Sequence, residues 1–387
     1  MVGAGAAAAR PCPIGRCALR LRARLRAIGL ALALSFACTG APQAGLSGHG
    51  GPVTAVALAP DGRLALTGSF DYTLKLWDLG RQAVLQTLRG HNGAVTAVAF
   101  LPDSRRALSG GDDGTLRLWD AAYGQELHRF DAHQGKVSDI ALAPDGSLAA
   151  SAGWDGRVRL WDLEARMPLR TLDDDAGMVN AVGFSADSQH VVAVGAQGRA
   201  HLYPVDPDGE VAELPGQGLG INALALTGDG RALAGGVDGR LHVWSLAERI
   251  RLDALEAHDG PLSAVAVARD GDTVATSGTD GVIRLWALGT QTLRHTLEAV
   301  GAPVWDLTFG PDGKRLLAAG GDGTARLFDV ASGEPIGGAV RVADSALPEP
   351  DSRGAELFRK CAACHTLARD GGNRAGPTLY KLFGRKA

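Results

Sequence analysis

Short runs of alternating apolar and polar residues predict β-strands along most of the chain. The first run covers residues 53–58, a Pro60-Asp61-Gly62 turn follows it, and residues 64–67 and 73–77 form the next two strands. The same order returns later, with turns at Pro102-Asp103-Ser104, Pro144-Asp145-Gly146 and Pro311-Asp312-Gly313. Because the 54 glycines suit tight turns, the pattern predicts an all-β fold of short antiparallel strands.

An aromatic residue at the end of the third strand marks the period of a repeat. Neighbouring markers are 41 or 42 residues apart. The markers are Trp77, Trp119, Trp161, Tyr203, Trp244, Trp286 and Phe328. A four-stranded repeat of about 40–45 residues is typical of a β-propeller blade, and seven blades close a ring without a long exposed sheet edge.

These repeats resemble those of the WD-repeat family. Gly-His stands early in the first two of them, as Gly48-His49 and Gly90-His91, and the first three end in Trp77-Asp78, Trp119-Asp120 and Trp161-Asp162. The resemblance implies a seven-bladed propeller over residues 45–342, with a buried hydrogen-bonded tetrad of His, Ser or Thr, Asp and Trp in each complete repeat. The four complete tetrads are His49, Thr67, Asp71 and Trp77; His91, Ser109, Asp113 and Trp119; His133, Ser151, Asp155 and Trp161; and His258, Thr276, Asp280 and Trp286.

The other three repeats lack parts of the tetrad, and we expect apolar packing to hold them. Their corresponding residues are Asp175, Ala193, Gln197 and Tyr203; Gly218, Ala234, Asp238 and Trp244; and Val300, Ala318, Asp322 and Phe328. Since the aspartates recur with the fold, we interpret them as architectural and name no catalytic residue. For the outer strand of the last blade we expect residues 335–342, in preference to 42–46.

The first 44 residues have the pattern of an export signal. Acidic residues are absent before Asp61, six arginines lie between positions 10 and 26, and an apolar run follows at 27–37. That run is shorter than the roughly 20 residues of a membrane-spanning helix, so it indicates a secretory signal peptide. Small residues near Ala41 and Ala44 suit a signal peptidase. The alternative is an imperfect lipoprotein-type box at Cys38, whose lipidation would anchor the protein to a membrane.

Near the C-terminus, Cys361-Ala362-Ala363-Cys364-His365 has the spacing used for covalent haem attachment. Two thiols three positions apart can each form a thioether with a haem vinyl group, and the adjacent imidazole can ligate the iron. A redox-active or zinc-binding dithiol is the alternative reading of the motif. Export favours haem, and after removal of the leader cysteines only this pair remains.

Residues 351–387 resemble the N-terminal part of class I cytochromes c, with a short α-helix before the motif. The resemblance implies that Cys361 and Cys364 bind haem c and that His365 is the proximal iron ligand. It also implies that the Pro377 carbonyl accepts a hydrogen bond from the His365 imidazole and that Arg385 faces a haem propionate. The family's distal methionine has no counterpart, so we expect a partial haem domain joined to the propeller by a linker at 343–350.

Together these features predict an exported, periplasmic electron-transfer protein whose propeller is a docking scaffold for a redox partner or other proteins. We consider it an electron carrier more than a catalyst with its own substrate. One alternative is a protein-binding scaffold with a non-functional haem segment, and another is a haem-dependent periplasmic oxidoreductase. The net charge of −3 argues against nucleic acid as a partner, and a membrane is expected only if Cys38 is lipidated.

Overall fold

A computed structural model describes residues 45–173, 177–216, 218–298 and 302–337. Within these ranges the chain forms seven four-stranded antiparallel sheets, which confirms the all-β seven-bladed propeller. The predicted leader, the linker and the helical cytochrome segment lie outside the described residues. In the described part, no helix is long and apolar enough to cross a membrane.

The strands follow one another in chain order around the ring. Blade 1 contains β2 (Val53–Leu58), β3 (Leu64–Ser69), β4 (Thr73–Asp78) and β5 (Ala83–Arg89); blade 2 contains β6 (Val95–Phe100), β7 (Arg106–Gly111), β8 (Thr115–Asp120) and β9 (Gln125–Asp131); blade 3 contains β10 (Val137–Leu142), β11 (Leu148–Gly153), β12 (Arg157–Asp162) and β13 (Met167–Asp173). Blade 4 contains β14 (Val179–Phe184), β15 (His190–Gly195), β16 (Ala200–Pro204) and β17 (Ala212–Leu214); blade 5 contains β18 (Ile221–Leu226), β19 (Arg231–Gly236), β20 (Arg240–Ser245) and β21 (Ile250–Glu256). Blade 6 contains β22 (Leu262–Val267), β23 (Thr273–Gly278), β24 (Val282–Ala287) and β25 (Thr292–Glu298); blade 7 contains β26 (Val304–Phe309), β27 (Arg315–Gly320), β28 (Thr324–Asp329) and, from the start of the described chain, β1 (Leu46–Ser47).

The first strand of each blade lies nearest the axis of the ring and contacts the first strands of both neighbouring blades. Each of these inner strands carries a bulge after its first residue, as between Val53 and Ala55 in β2. A bulge increases the local twist of a strand and re-aims the side chain within it. The side chain in each bulge therefore becomes available to the channel along the axis.

The core consists of apolar layers between adjacent blades. One layer contains Leu66 and Leu76 of blade 1 together with Val95 and Trp119 of blade 2, and all four side chains are buried. Equivalent layers occupy the other seams of the ring. Each blade therefore buries its apolar faces against its two neighbours, and the ring is stabilised as a whole.

Two segments share the edge of the last blade: the N-terminal segment supplies the strand β1, and of the residues 335–342 that we preferred, Pro335 and Ile336 pair with β28. Strand β1 pairs with β28, with Leu46 opposite Ala325. The later segment contributes one bridge, between Phe328 and Pro335, and two backbone bonds, from Ile336 N to Leu327 O and from Asp329 N to Glu334 O. Because β1 covers the first half of the β28 edge, only the half beside the turn is left for the C-terminal segment.

Leu46 should be the main apolar anchor of this closure. Its side chain is 2% exposed and packs with Trp77 of blade 1 and Leu327 of blade 7. We expect Leu46→Ala to lower the free energy of unfolding by about 3 kcal/mol, because the cavity would form in a seam that holds the ring closed. Urea unfolding measures this loss. Ile336→Ala is the matched control, since Ile336 joins the same layer but is only partly buried; equal losses from both variants would contradict a dominant role for β1.

Candidate functional site

The structure brings the four residues of the first tetrad together. His49 Nδ1 lies 3.0 Å from Asp71 Oδ2, His49 Nε2 lies 2.6 Å from Thr67 Oγ1, and Trp77 Nε1 donates to Thr67 Oγ1 at 2.9 Å. A carboxylate only accepts and an indole N–H only donates, so one proton arrangement satisfies all three bonds. In it, His49 carries its proton on Nδ1 and Thr67 donates to Nε2.

The other three complete repeats have the same geometry. The bonds from histidine to aspartate, from histidine to hydroxyl and from tryptophan to hydroxyl measure 3.0, 2.7 and 2.8 Å for His91, Asp113, Ser109 and Trp119; 2.8, 2.8 and 3.0 Å for His133, Asp155, Ser151 and Trp161; and 3.0, 2.9 and 2.9 Å for His258, Asp280, Thr276 and Trp286. Each set ties the loop that enters a blade to its second and third strands. The arrangement is structural, because its polar atoms form hydrogen bonds with one another.

Burial and hydrogen bonding set the charge of these tetrads. Burial opposes ionisation of Asp71, but hydrogen bonds from His49, Thr73 and the Gly50 N–H outweigh it and lower the Asp71 pKa to about 2. Burial lowers the pKa of His49 against the opposing effect of Asp71. The tetrad therefore combines a carboxylate with a neutral imidazole at neutral pH.

Buried apolar layers hold the degenerate blades, as we expected, and in two of these blades a polar pair also takes the place of the tetrad. In blade 5, His242 Nε2 lies 3.1 Å from Asp238 Oδ2 and the His242 ring stacks on Trp244. In blade 7, Arg326 Nη1 donates to Asp322 Oδ1 at 3.1 Å. Asp175 and Val300, predicted for blades 4 and 7, lie outside the described residues.

The sequence analysis did not identify His242 and Arg326 as partners of the aspartates, although both occupy the same position of the repeat. Each stands two residues before the aromatic marker of its repeat, where every blade has a basic or imidazole side chain. The seven residues at this position are Lys75, Arg117, Arg159, His201, His242, Arg284 and Arg326. His201 and His242 are buried in blades 4 and 5, and His242 pairs there with Asp238 where the loop histidine is missing.

A ring of polar side chains around the axis joins successive blades. Six side chains in the inner-strand bulges each donate to the carbonyl of the first inner-strand residue of the next blade. The donors are Thr54, Thr96, Ser138, Asn180, Asn222 and Ser263. The seventh position holds Trp305, which is 43% exposed and lines the channel, a polar cavity of about 140 Å³.

Two aspartates line this channel and clamp neighbouring blades. Asp306 Oδ2 accepts from Val56 N of blade 1 at 2.8 Å, and Asp139 Oδ2 accepts from Val182 N of blade 4 at 2.9 Å. Burial raises the pKa of each carboxyl to about 7, against the effect of the backbone donors. Both side chains are therefore poised to change protonation near neutral pH.

One mouth of the channel is unusually aromatic for a surface. Phe70, Trp154 and Trp305 are each more than 40% exposed and line a cavity of about 390 Å³ together with Asp112 and Lys136. The Lys136 ammonium lies over the Trp154 ring, 4.7 Å from its centroid. Exposed aromatic clusters of this kind are typical of protein interaction sites. We call these five residues the aromatic mouth.

The predicted haem residues Cys361, Cys364, His365, Pro377 and Arg385 lie outside the described residues. Within the described ranges, no group of three or more His, Cys, Asp or Glu side chains could hold a metal ion. The described residues therefore form a ring-shaped repeat protein with exposed aromatic side chains at one mouth of its channel.

Comparison with known families agrees with that class. The profile of the family described as "WD domain, G-beta repeat" matches residues 40–78, 82–120, 124–162, 209–245, 250–287 and 291–329. These segments make up more than half of the chain, and the protein belongs to the WD-repeat family. The matches leave out most of blade 4, which lacks the tetrad and has Tyr203 as its aromatic marker.

Short matches also connect the chain with individual proteins. A cytochrome c from Arabidopsis thaliana is 50% identical over 48 residues, which cover 12% of this chain and 43% of that protein. A cytochrome c from Gibberella zeae is 57% identical over 35 residues, covering 9% and 33%. The COMPASS component SWD1 of Saccharomyces cerevisiae is 53% identical over 36 residues, covering 9% and 8%. The chain spans less than half the length of each of these relatives.

Proposed function

We propose that the protein is an exported electron-transfer protein in which the WD propeller is the docking scaffold for a c-type haem segment. The observation that carries the proposal is a complete haem-attachment motif, Cys361 to His365, on a chain with short matches to cytochromes c. When bound, the haem would supply one-electron redox chemistry.

The residues near the C-terminus carry the functional groups that a c-type haem requires. Cys361 and Cys364 would hold the porphyrin through thioethers, and His365 would supply an imidazole to the iron. The Pro377 carbonyl would accept the other imidazole N–H, which orients the ring and increases its basicity. Arg385 would pair with a propionate.

Export is part of the proposal, because the two signals require the same compartment. The arginine-rich start and the apolar run at 27–37 favour secretion, and in bacteria thioether attachment at such a motif takes place outside the inner membrane. We place the protein in the periplasm. Lipidation at Cys38 would hold it at a membrane surface.

The aromatic mouth is the surface that we assign to a protein redox partner. Its three exposed aromatic side chains offer a large apolar contact area at a low cost in side-chain entropy, and Asp112 and Lys136 provide polar contacts beside it. The channel behind it is narrow and polar, so the mouth suits a protein surface better than a large apolar ligand.

Covalent haem attachment tests the redox half of the proposal. The full chain, expressed with a periplasmic haem-attachment system, should gain the mass of one haem and show the visible spectrum of a c-type cytochrome. The double variant Cys361→Ala/Cys364→Ala should lose both signals while keeping the β-rich circular dichroism of the propeller, because these residues lie outside the described ring. Full-length protein that stays haem-free in this system would sink the electron-transfer role.

A protein-binding scaffold without redox activity is the second candidate, and the exposed aromatic mouth favours it. Comparing Trp154→Ala with the double cysteine variant in the same binding assay distinguishes the two candidate functions. If partner binding needs Trp154 and is indifferent to haem, the scaffold function stands alone.

A further inference from the structure

The turns that join the first and second strands of each blade pack against one another around the face opposite the aromatic mouth. We call them the inner turns. A Cβ atom built on Gly146 in blade 3 would lie 2.4 Å from Pro102 Cδ of blade 2, and one built on Gly62 in blade 1 would lie 3.4 Å from Pro311 Cγ of blade 7. At these two seams a proline of one inner turn therefore covers the glycine of the next.

The seam between blades 4 and 5 lacks this proline. Ala186 and Gly228 occupy the proline positions of the two inner turns. A Cβ atom built on Gly230, the counterpart of Gly146, would meet no other atom within 4 Å. The result is a cavity of about 480 Å³, whose lining includes the apolar side chains of Leu202 and Leu246. We call it the seam pocket.

Two carboxylates, those of Asp187 and Asp229, and the guanidinium of Arg249 border the seam pocket. Asp229 is paired with Arg231 at 2.8 Å, and Asp187 accepts hydrogen bonds from the Ser185 hydroxyl and the Gln189 N–H. Arg249 lines the pocket, is exposed, and forms no ion pair within the described part of the chain. It is the positive charge that a ligand would neutralise.

We propose that the seam pocket binds this chain's own Leu347-Pro348-Glu349-Pro350 segment. A proline would fill the place that Pro102 and Pro311 fill elsewhere, and Glu349 would pair with Arg249. Proline-rich segments lose little conformational entropy on binding, because they are already extended. The inference is independent of haem attachment.

The length of the chain allows this contact. The described residues end at Gly337, and the 11 residues from 338 to 348 span up to about 36 Å when extended. A domain of about 300 residues has a radius of gyration of about 19 Å. The contact therefore requires residues 338–348 to run almost fully extended across the face of the ring.

Methyl NMR of the full, leucine-labelled chain tests the proposal. Replacing the two prolines, Pro348→Ala/Pro350→Ala, should shift the Leu202 and Leu246 methyl resonances, because the occupied pocket would empty. Leu163 is the matched control, since it holds in blade 3 the position of Leu246 in blade 5, and its resonances should not move. Absence of any shift at Leu202 and Leu246 would overturn the proposal.

A second background shows whether the effect passes through the pocket. Ala186→Pro restores the proline that other inner turns carry and should fill the pocket from within the ring. In this background the linker substitutions should no longer shift Leu202 or Leu246; a shift that persists would refute binding in the seam pocket. Arg249→Gln should reproduce part of the linker effect, and Arg166→Gln, at the same position in blade 3, should not.

Dilution separates the chain's own segment from that of a second copy. Binding within one chain gives shifts that do not depend on protein concentration, which is the expected result. Shifts that grow with concentration would assign the pocket to the linker of another molecule and overturn the intramolecular contact.

Discussion

We expect the Asp306→Asn variant to gain stability relative to the natural protein as the pH rises. Between pH 4 and pH 8 we expect the difference in unfolding free energy between this variant and the natural protein to change by about 2–4 kcal/mol, in favour of the variant at pH 8. The Asp306 pKa is raised to about 7 in the folded ring. The folded state therefore binds a proton that the unfolded chain releases near pH 4, and the stability that this proton provides is lost as the pH rises towards 7.

Urea unfolding between pH 4 and pH 8 measures this difference in unfolding free energy. Asp139→Asn is the comparison variant, because Asp139 makes the equivalent contact at the seam between blades 3 and 4. The negative charge of Asp139 contributes to the raised pKa of Asp306, so the effects of the two substitutions should not add. The lower end of the expected range allows for water that reaches both carboxyl groups from the channel. A difference that stays constant from pH 4 to pH 8 would contradict the raised pKa.

Ser151→Ala should destabilise the ring by about 2–4 kcal/mol. The fully buried Ser151 hydroxyl accepts from Trp161 Nε1 and bonds His133 Nε2, so its removal leaves two buried polar groups without their partner. Each unsatisfied group costs about 1–3 kcal/mol. Unfolding in urea, followed by tryptophan fluorescence, measures the loss.

The conservative control is Ser151→Thr, because threonine holds this position in blades 1 and 6 as Thr67 and Thr276. We expect it to cost less than about 1 kcal/mol, since the hydroxyl remains. If alanine and threonine cost the same, packing and not the hydrogen-bonded tetrad would account for the stability of the blade.

The repeat pattern was sufficient to predict the ring, because blades are local structures. The strand predicted at 53–58 coincides with β2, and seven aromatic markers correspond to seven sheets. Closure was harder, because two short segments from opposite ends of the described chain share one edge of β28. The outcome depends on the packing of Leu46 against Trp77, which are far from β28 along the chain.

The chemistry of the ring was predictable only where it follows a repeated motif. The complete tetrads could be read from residue type and spacing. His242 was not recognised as a partner of Asp238, because its role arises from a histidine that the preceding loop lacks. Asp139 and Asp306 look like ordinary polar strand residues, and only closure of the ring places both of them beside the axis.

The chain enters and leaves the propeller at the same blade, with Leu46 and Ile336 bound to the two halves of β28. If one end of the protein were tethered and the other pulled, the load would fall on the few hydrogen bonds along this single strand. Blade 1 would share part of the load, because Trp77 packs against Leu46 and Gln82 Nε2 donates to Ile336 O at 3.2 Å. Mechanical rupture should therefore begin by peeling β1 from blade 7, and its force should depend on these bonds instead of on the stability of the whole ring.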